Sequence, residues 1–419
     1  MSSLYHAIEK CRACGNTNLV PVLDLGIQAL TGIFPKADQA DPPAGPLQLV
    51  KCAGSSDVCH LVQLKHQYDG AAMYGKDYGY RSSLNRSMVE HLRRKAEMLM
   101  ARRPVGKGDI VLDIGSNDGT SLSFYPKEGP TLIGIDPTAA KFHKYYPPHV
   151  RAVAEFFNAG SFRNVAGGDS ARAKIVTSIS MFYDLDDPMQ FMRDVHAVLA
   201  DDGIWHLEQS YMPGMLATNS YDTVCHEHVE YYSLSQIAWM AGRIGFRILD
   251  VEFNEINGAS FALTLAKAST GEPHGRKVED VLAREREDGL STLTPYADFA
   301  DRTAHHRDEL RSCLADLRRQ GCKIFGLGSS TKGNVVLQYC QLGPADIESI
   351  AEVNEDKFGC VTPGTRIPII PEAEAHARRP DVFVVLPWHF RPHFMQTEKG
   401  FMSAGGRLLF PLPRIELVP

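Results

Sequence analysis

The chain has 419 residues, 44% of them hydrophobic and 22% charged, with a formal net charge of −6. That length exceeds what one compact core usually spans, so two or three domains are expected. No apolar run is long enough to cross a bilayer, and mild acidity disfavours a broad phosphate-backbone footprint, so neither a membrane nor a nucleic acid is an expected partner.

The opening MSSLYHAIEKC lacks the basic and apolar regions of a secretory signal, which points to a cytoplasmic protein. Four of the nine cysteines (Cys11, Cys14, Cys52 and Cys59) fall in the first sixty residues. This segment is rich in turn residues and shows little periodicity, as expected of a small module, residues 1–75, held by a metal rather than by its core. Four soft thiolates suit a structural, tetrahedral Zn2+ with no position open to substrate. The second pair is spaced C-x6-C, wider than usual, so its loop must fold back; His60 is a competing ligand, and unmetallated or redox thiols are the alternative.

Leu84, Met88, Leu92, Ala96 and Leu99 recur at helical spacing and predict an amphipathic helix over 83–102. The runs DIVLDIG, TLIGID, AKIVTSIS and GIWHLEQS follow, separated by helix-like stretches, and predict a doubly wound α/β domain over 76–270. Its first loop, Asp113-Ile-Gly115-Ser116-Asn117-Asp118-Gly119, resembles the D-x-G-x-x-x-G cofactor loop of class I Rossmann-like methyltransferases, which bind S-adenosyl-L-methionine (SAM). Asn117 breaks the dinucleotide fingerprint G-x-G-x-x-G and disfavours NAD. Asp136, ending the second run about twenty residues on, is placed to accept both ribose hydroxyls. Ser178, in the run AKIVTSIS, is a further cofactor-side candidate. Tyr183 and Asp184 belong at the mouth of the sheet, or else cap its loop.

The segment Tyr221-Asp-Thr-Val-Cys225-His226-Glu227-His228 concentrates titratable side chains beyond the run GIWHLEQS. It is not H-E-x-x-H, because the histidines are two apart. An extended stretch would put His226 and His228 on one face and Glu227 on the other. Catalysis, a metal and a surface cluster are the three readings.

Residues 278–320 are charged and helical up to Gly321, as in a connecting arm. A second α/β series, KIFGLG, SIAEVN, DVFVVLP and RLLFPLP, completes the part spanning 271–419. In Ile324-Phe-Gly326-Leu-Gly328-Ser-Ser-Thr331-Lys332-Gly333-Asn334 a strand again feeds a glycine loop and a helix, where Lys332 and free amides can hold a pyrophosphate; the bland alternative is a structural turn. Glu352 and Asn354 end the next run. Trp388, beside His389, either stacks on a base or packs in the core.

Taken together, C-R-A-C-G at 11–15, L-D-L-G at 23–26, L-V-Q-L at 61–64, D-I-G-S-N-D-G-T at 113–120, H-E-H at 226–228 and G-L-G-S-S-T-K-G-N at 326–334 resemble the three-domain nucleotide-sugar C-methyltransferases over nearly the whole chain. The resemblance implies SAM and zinc, a C-terminal Rossmann-like nucleotide-sugar-binding domain, and methylation of a carbon next to the C4 ketone of a nucleotide-linked 4-keto-6-deoxy sugar. It also implies His228 as the base, Glu227 as its neighbour at the sugar, and Tyr80 as an aromatic near the sugar. Lys332, Asn334, Glu352, Asn354, Trp388 and His389 fall to the nucleotide-linked keto-sugar substrate. Two positions depart from that family: Cys225 stands where it has tyrosine, and the histidine after strand four is replaced by Met181-Phe-Tyr183-Asp184. Methylation of another metabolite on oxygen or nitrogen, and a non-catalytic sugar-binding scaffold, are the competing readings. A monomer or small homo-oligomer is expected.

Overall fold

The computed structural model describes residues 4–55, 57–68 and 81–419. The N-terminal part is not merely a metal-held knuckle. Strands β2 (Leu19–Ala29), β3 (Ala44–Cys52) and β4 (Val62–Leu64) form an antiparallel sheet, and β1 (Tyr5–Ala7) pairs with β5 (His66–Tyr68). The period-2 signal of β2 is broken in the sequence because its register shifts twice against β3, between Pro21 and Leu23 and between Asp24 and Ile27. Leu23, Leu25, Leu47, Leu49 and Leu64 nonetheless bury one face of this sheet.

The helix Arg86–Arg102 begins later than the spacing suggests, because the Asn85 side chain caps it, accepting from Ser87 N at 3.0 Å. Leu84 is left outside, 62% exposed. Next come β6 (Ile110–Ile114), β7 (Thr131–Ile135), β8 (Val150–Val153), β9 (Ala173–Ile179), β10 (Leu199–Ser210), β11 (Glu230–Tyr231), β12 (Phe246–Asn254) and β13 (Ser260–Lys267). Seven of these make one sheet in the order β12-β13-β10-β9-β6-β7-β8, parallel except for β13, which runs against both neighbours. Every residue of β6 is buried, as expected for a central parallel strand covered on both faces.

The remaining strand of this stretch, β11, leaves that sheet. It joins the N-terminal one, with Glu230 opposite Gln63 and Tyr231 opposite Val62. The segment carrying His226-Glu227-His228 is therefore stitched to the first part of the chain by backbone pairing.

The expected arm is two helices, Arg276–Glu287 and Thr294–Arg319, parted near Gly289 with φ 69°. The second is packed rather than free, burying Phe299, Leu310 and Leu314. Strands β14 (Ile324–Leu327), β15 (Ile350–Glu352), β16 (Ile369–Pro371), β17 (Val382–Val385), β18 (Arg407–Phe410) and β19 (Glu416–Val418) form the C-terminal sheet, ordered β16-β15-β14-β17-β18-β19 with only β19 antiparallel. Two shared cores bind the three parts. Cys11, Cys52, Cys59 and Leu61 pack with Phe182, Trp205 and Tyr232, while Leu25 and Leu49 pack with Cys225, Phe299 and Phe325.

Candidate active site

The sulfurs of Cys11, Cys14, Cys52 and Cys59 all lie within 4.8 Å of one another, with Cys11 to Cys59 at 3.4 Å and Cys14 to Cys52 at 3.5 Å. Zn–S bonds of about 2.3 Å require tetrahedral edges of about 3.8 Å, so the set fits zinc and no open position remains. His60 is not part of the group. Between the first two ligands, Arg12 donates to Leu64 O at 2.8 Å and, through its backbone N–H, to Gln63 Oε1 at 3.1 Å. The knuckle is thereby tied to the strand that pairs with β11.

At the carboxyl ends of β6, β7 and β9 lies a cavity of about 420 Å³, within the range of small-molecule sites. Asp113, Gly115, Ser116, Asn117, Asp136, Asn158, Ser180, Met181 and Asp184 line it. Gly115 has φ 72°, and a Cβ there would come within 2.9 Å of Met181 Cγ, so glycine is required on both counts. Asp136 Oδ2 accepts from Asn117 N at 2.8 Å, and Oδ1 accepts from Thr138 N and Oγ1 at 2.6 and 2.5 Å. Three donors on about four lone-pair sites leave room for one more, so Asp136 can take a single ribose hydroxyl rather than both. Burial pushes the Asp113 carboxyl up to about 7 despite the hydrogen bond it accepts from Thr177 Oγ1 at 2.5 Å. The loop and cavity fit SAM.

Several expected cofactor contacts are instead scaffold. Ser178 faces away from the cavity and accepts from Trp205 Nε1 at 2.9 Å; Ser180, two residues on, lines it. Asp118 holds Ser83 N at 3.0 Å and Thr120 Oγ1 at 2.6 Å, and Gly119 packs under Tyr146. Ser116 lines the cavity, but its hydroxyl is shared with Tyr146 at 2.7 Å. Asn158 was missed by the sequence reading, although F-F-N before a helix is a legible cap signal.

The His-Glu-His segment is a turn, not an extended stretch: His228 N donates to Cys225 O at 3.2 Å. The histidines therefore part. His226 faces the N-terminal sheet, its Nε2 3.4 Å from Gly45 O and its ring edge-on to Tyr68 at 4.8 Å, so it is a packing residue rather than a catalytic one. His228 faces the methyltransferase sheet, its ring 4.3 Å from that of Tyr183. Its Nδ1 lies 3.1 Å from Thr223 O. A carbonyl only accepts, so the proton sits on Nδ1 and Nε2 keeps its lone pair. Burial, together with the charge of Lys332, lowers His228 to about 4, leaving it neutral near pH 7. Burial raises Glu227, whose Oε2 has no hydrogen-bond partner among the described residues. Gly32, from the loop after β2, lies against it, and a Cβ there would fall 2.5 Å from Glu227 Oε1. Tyr80 lies outside the described residues.

In the C-terminal domain most of the expected substrate ligands are already engaged. Glu352 accepts from Ser329 N at 3.0 Å and Oγ, Val353 N at 2.8 Å and Asn354 N at 2.9 Å, which uses its acceptor capacity. Asn354 caps a short turn through Asp356 N at 3.1 Å. Asn334 donates to Thr31 O at 2.7 Å and so clamps the N-terminal part. Trp388 is core, donating to Asp222 Oδ2 at 2.8 Å. His389 lies beside it, and Lys332 Nζ comes to the same spot against Gly258.

Three family descriptions match the chain in order: "Putative zinc binding domain" over residues 11–74, "Methyltransferase domain" over 85–251 and "C-methyltransferase C-terminal domain" over 255–413. The chain is 29% identical to C-methyltransferase NovU of Streptomyces niveus over 420 residues, covering 100% of this chain and 99% of that protein. Among solved structures, it is similar to the 1,6-didemethyltoxoflavin-N1-methyltransferase of Burkholderia thailandensis with bound S-adenosylhomocysteine (17% identity, 52% of this chain and 95% of that one, TM-score 0.36). It is also similar to the CurJ carbon methyltransferase (14% identity, 45% and 57%, TM-score 0.34). Matching in order a zinc-binding module, a methyltransferase domain and a C-methyltransferase C-terminal domain, and similar along its whole length to a C-methyltransferase, this protein is a SAM-dependent C-methyltransferase.

Proposed function

We propose that the chain methylates a carbon next to the ketone of a nucleotide-linked 4-keto-6-deoxy sugar, with His228 as the general base. The observation that carries this reading is the Nδ1–H···O=C bond of His228 to Thr223, which fixes a bare Nε2 beside Tyr183, next to the Asp184 that lines the cofactor cavity. A carbon acid flanking a ketone needs such a base, and positioned general bases contribute about 10²–10⁴-fold. SAM, when bound, supplies a methyl on a sulfonium. His228 takes the α-proton, the tilted ring contact with Tyr183 limits its rotation, and Glu227 and Asp184 face the sugar hydroxyls. Tyr183 and Asp184 take the place of the histidine that the family carries after strand four. Exclusion of water by the buried walls protects the enolate from reprotonation.

The test is mass spectrometry of purified protein with SAM and TDP-, GDP- or UDP-linked 4-keto-6-deoxy sugars, seeking a gain of one methylene. His228→Asn should abolish that gain while SAM still binds by calorimetry. Full turnover in that variant would refute the reading, as would unchanged turnover in both Tyr183→Phe and Asp184→Asn.

A further inference from the structure

Lys332 opens the helix Thr331–Tyr339 of the C-terminal domain, and its side chain reaches Gly258 of the methyltransferase domain. Its Nζ stands 3.7 Å from where a Cβ of Gly258 would be, in the loop leading into β13 of the methyltransferase sheet, and that same point lies 3.6 Å from His389 Cβ and 3.8 Å from Trp388 Cζ2. Asp222 supplies the compensating charge. It is completely buried, it accepts from Trp388 Nε1 at 2.8 Å, and the ammonium draws its carboxyl down against the effect of burial. One residue further along, Thr223 holds His228. A half-buried cation therefore stands against Gly258, with Trp388 and His389 around it and the Asp222 carboxylate acting on it electrostatically. Drawing an ammonium even partly out of water is unfavourable, and helix packing alone would be served better by an apolar side chain.

Removing the α-proton of a ketone leaves negative charge on its oxygen, which needs a hydrogen-bond donor or a cation beside it. We propose that Lys332 is the electrophile of this reaction, its ammonium donating a hydrogen bond to the ketone oxygen as it becomes the enolate oxygen. The proposal rests on the keto-sugar reading above. The C–H pair moves into a C=C bond, the carbonyl π pair moves to oxygen, and the proton goes to His228 Nε2. Then the C=C pair attacks the methyl, the S–CH3 bond breaks with its pair left on sulfur, the C=O bond re-forms, and His228 loses its proton to solvent. Lys332 stays an ammonium throughout. Charge developing on the enolate oxygen also offsets the Lys332 field that holds His228 low, so the base strengthens as the proton moves.

The experiment compares wild type with Lys332→Met and Lys332→Arg, using deuterium exchange into TDP-4-keto-6-deoxyglucose without SAM, calorimetry with TDP, and an NMR titration of His228 without any sugar. In Lys332→Met, exchange should fall about 10²–10³-fold, the size of one lost oxyanion donor. TDP affinity should hold within about threefold, and His228 should titrate closer to the ordinary histidine range. Lys332→Arg should recover part of the exchange. An exchange rate within threefold of wild type, a loss of TDP affinity as large as the loss of exchange, or an unmoved His228 would each overturn the assignment. The histidine titration needs no substrate, so failure of wild type to exchange any keto-sugar would sink the sugar reading separately. Should Lys332→Met not fold, Lys332→Met with Asp222→Asn removes both charges together and must show the same loss.

Discussion

Replacing Gly32 by alanine probes whether the N-terminal module takes part in placing the catalytic turn. An added Cβ would sit 2.5 Å from Glu227 Oε1, and the pair must open to at least 3.0–3.4 Å, a shift of roughly 0.5–0.9 Å. The atom that yields is the end of a flexible side chain, so the backbone stays and stability should change by less than about 1 kcal/mol. Misplacement of about 1 Å at a reacting centre can cost on the order of 10²-fold, and Gly32→Ala should lower kcat by about ten- to a hundredfold. Glu227 does not line the cofactor cavity, so SAM affinity should hold. Product mass spectrometry under saturating SAM, calorimetry for SAM and a melting curve separate the three quantities. A wild-type kcat in Gly32→Ala, with the fold intact, would refute the placement of Glu227 against Gly32 as a catalytic contact.

Asp136→Asn exchanges a carboxylate that takes Asn117 N and Thr138 for a group with half its acceptor capacity, and hydrogen bonds to charged groups are worth about 1.5–3 kcal/mol. SAM should bind about ten- to a hundredfold more weakly by calorimetry, and equal affinity would discount the ribose role. Stripping zinc with a chelator should lower the melting temperature and abolish methyl transfer, since the knuckle leads through Arg12 and β4 to β11. Elemental analysis should find about one zinc per chain, and loss of the metal without loss of either property would contradict this chain of contacts. Asp113 is held at about 7 against an ordinary 3.8, so the folded state binds its proton more tightly than the unfolded one. Stability from this group is present below about pH 4 and is lost as pH rises through 7. Asp113→Asn should therefore raise the melting temperature of the ligand-free protein more at pH 8 than at pH 5, and an equal change at both would refute the burial argument.

The sequence carried the parts whose cause is local. An apolar run ending in Asp113 and followed by glycines with φ of 72° and 76° is a strand and tight turn wherever it occurs, because few other residues tolerate that backbone. The cysteine pairs announced a metal because four soft thiolates suit tetrahedral zinc, and their sulfurs do meet. The four β-branched runs were equally legible, whereas the caps at Asn85 and Asn158 went unread. What depended on distant partners was not. The bulges in β2 hid a sheet whose register is set by β3, and the antiparallel β12–β13 pair went unread although Asn257-Gly258 stands between its strands.

At the site the same division holds. Sequence alone determined that His226, Glu227 and His228 form a polar cluster next to a SAM-type sheet. Only the tertiary structure parted the two histidines, because the turn at Cys225–His228 sends one ring to Gly45 and Tyr68 and the other to Tyr183 and Thr223. Glu352, Asn334 and Trp388 carry the right chemistry for a substrate, yet neighbours far away in the chain have already taken their hydrogen bonds. A side chain's availability is a property of what folds against it, and that cannot be written in its own stretch of sequence.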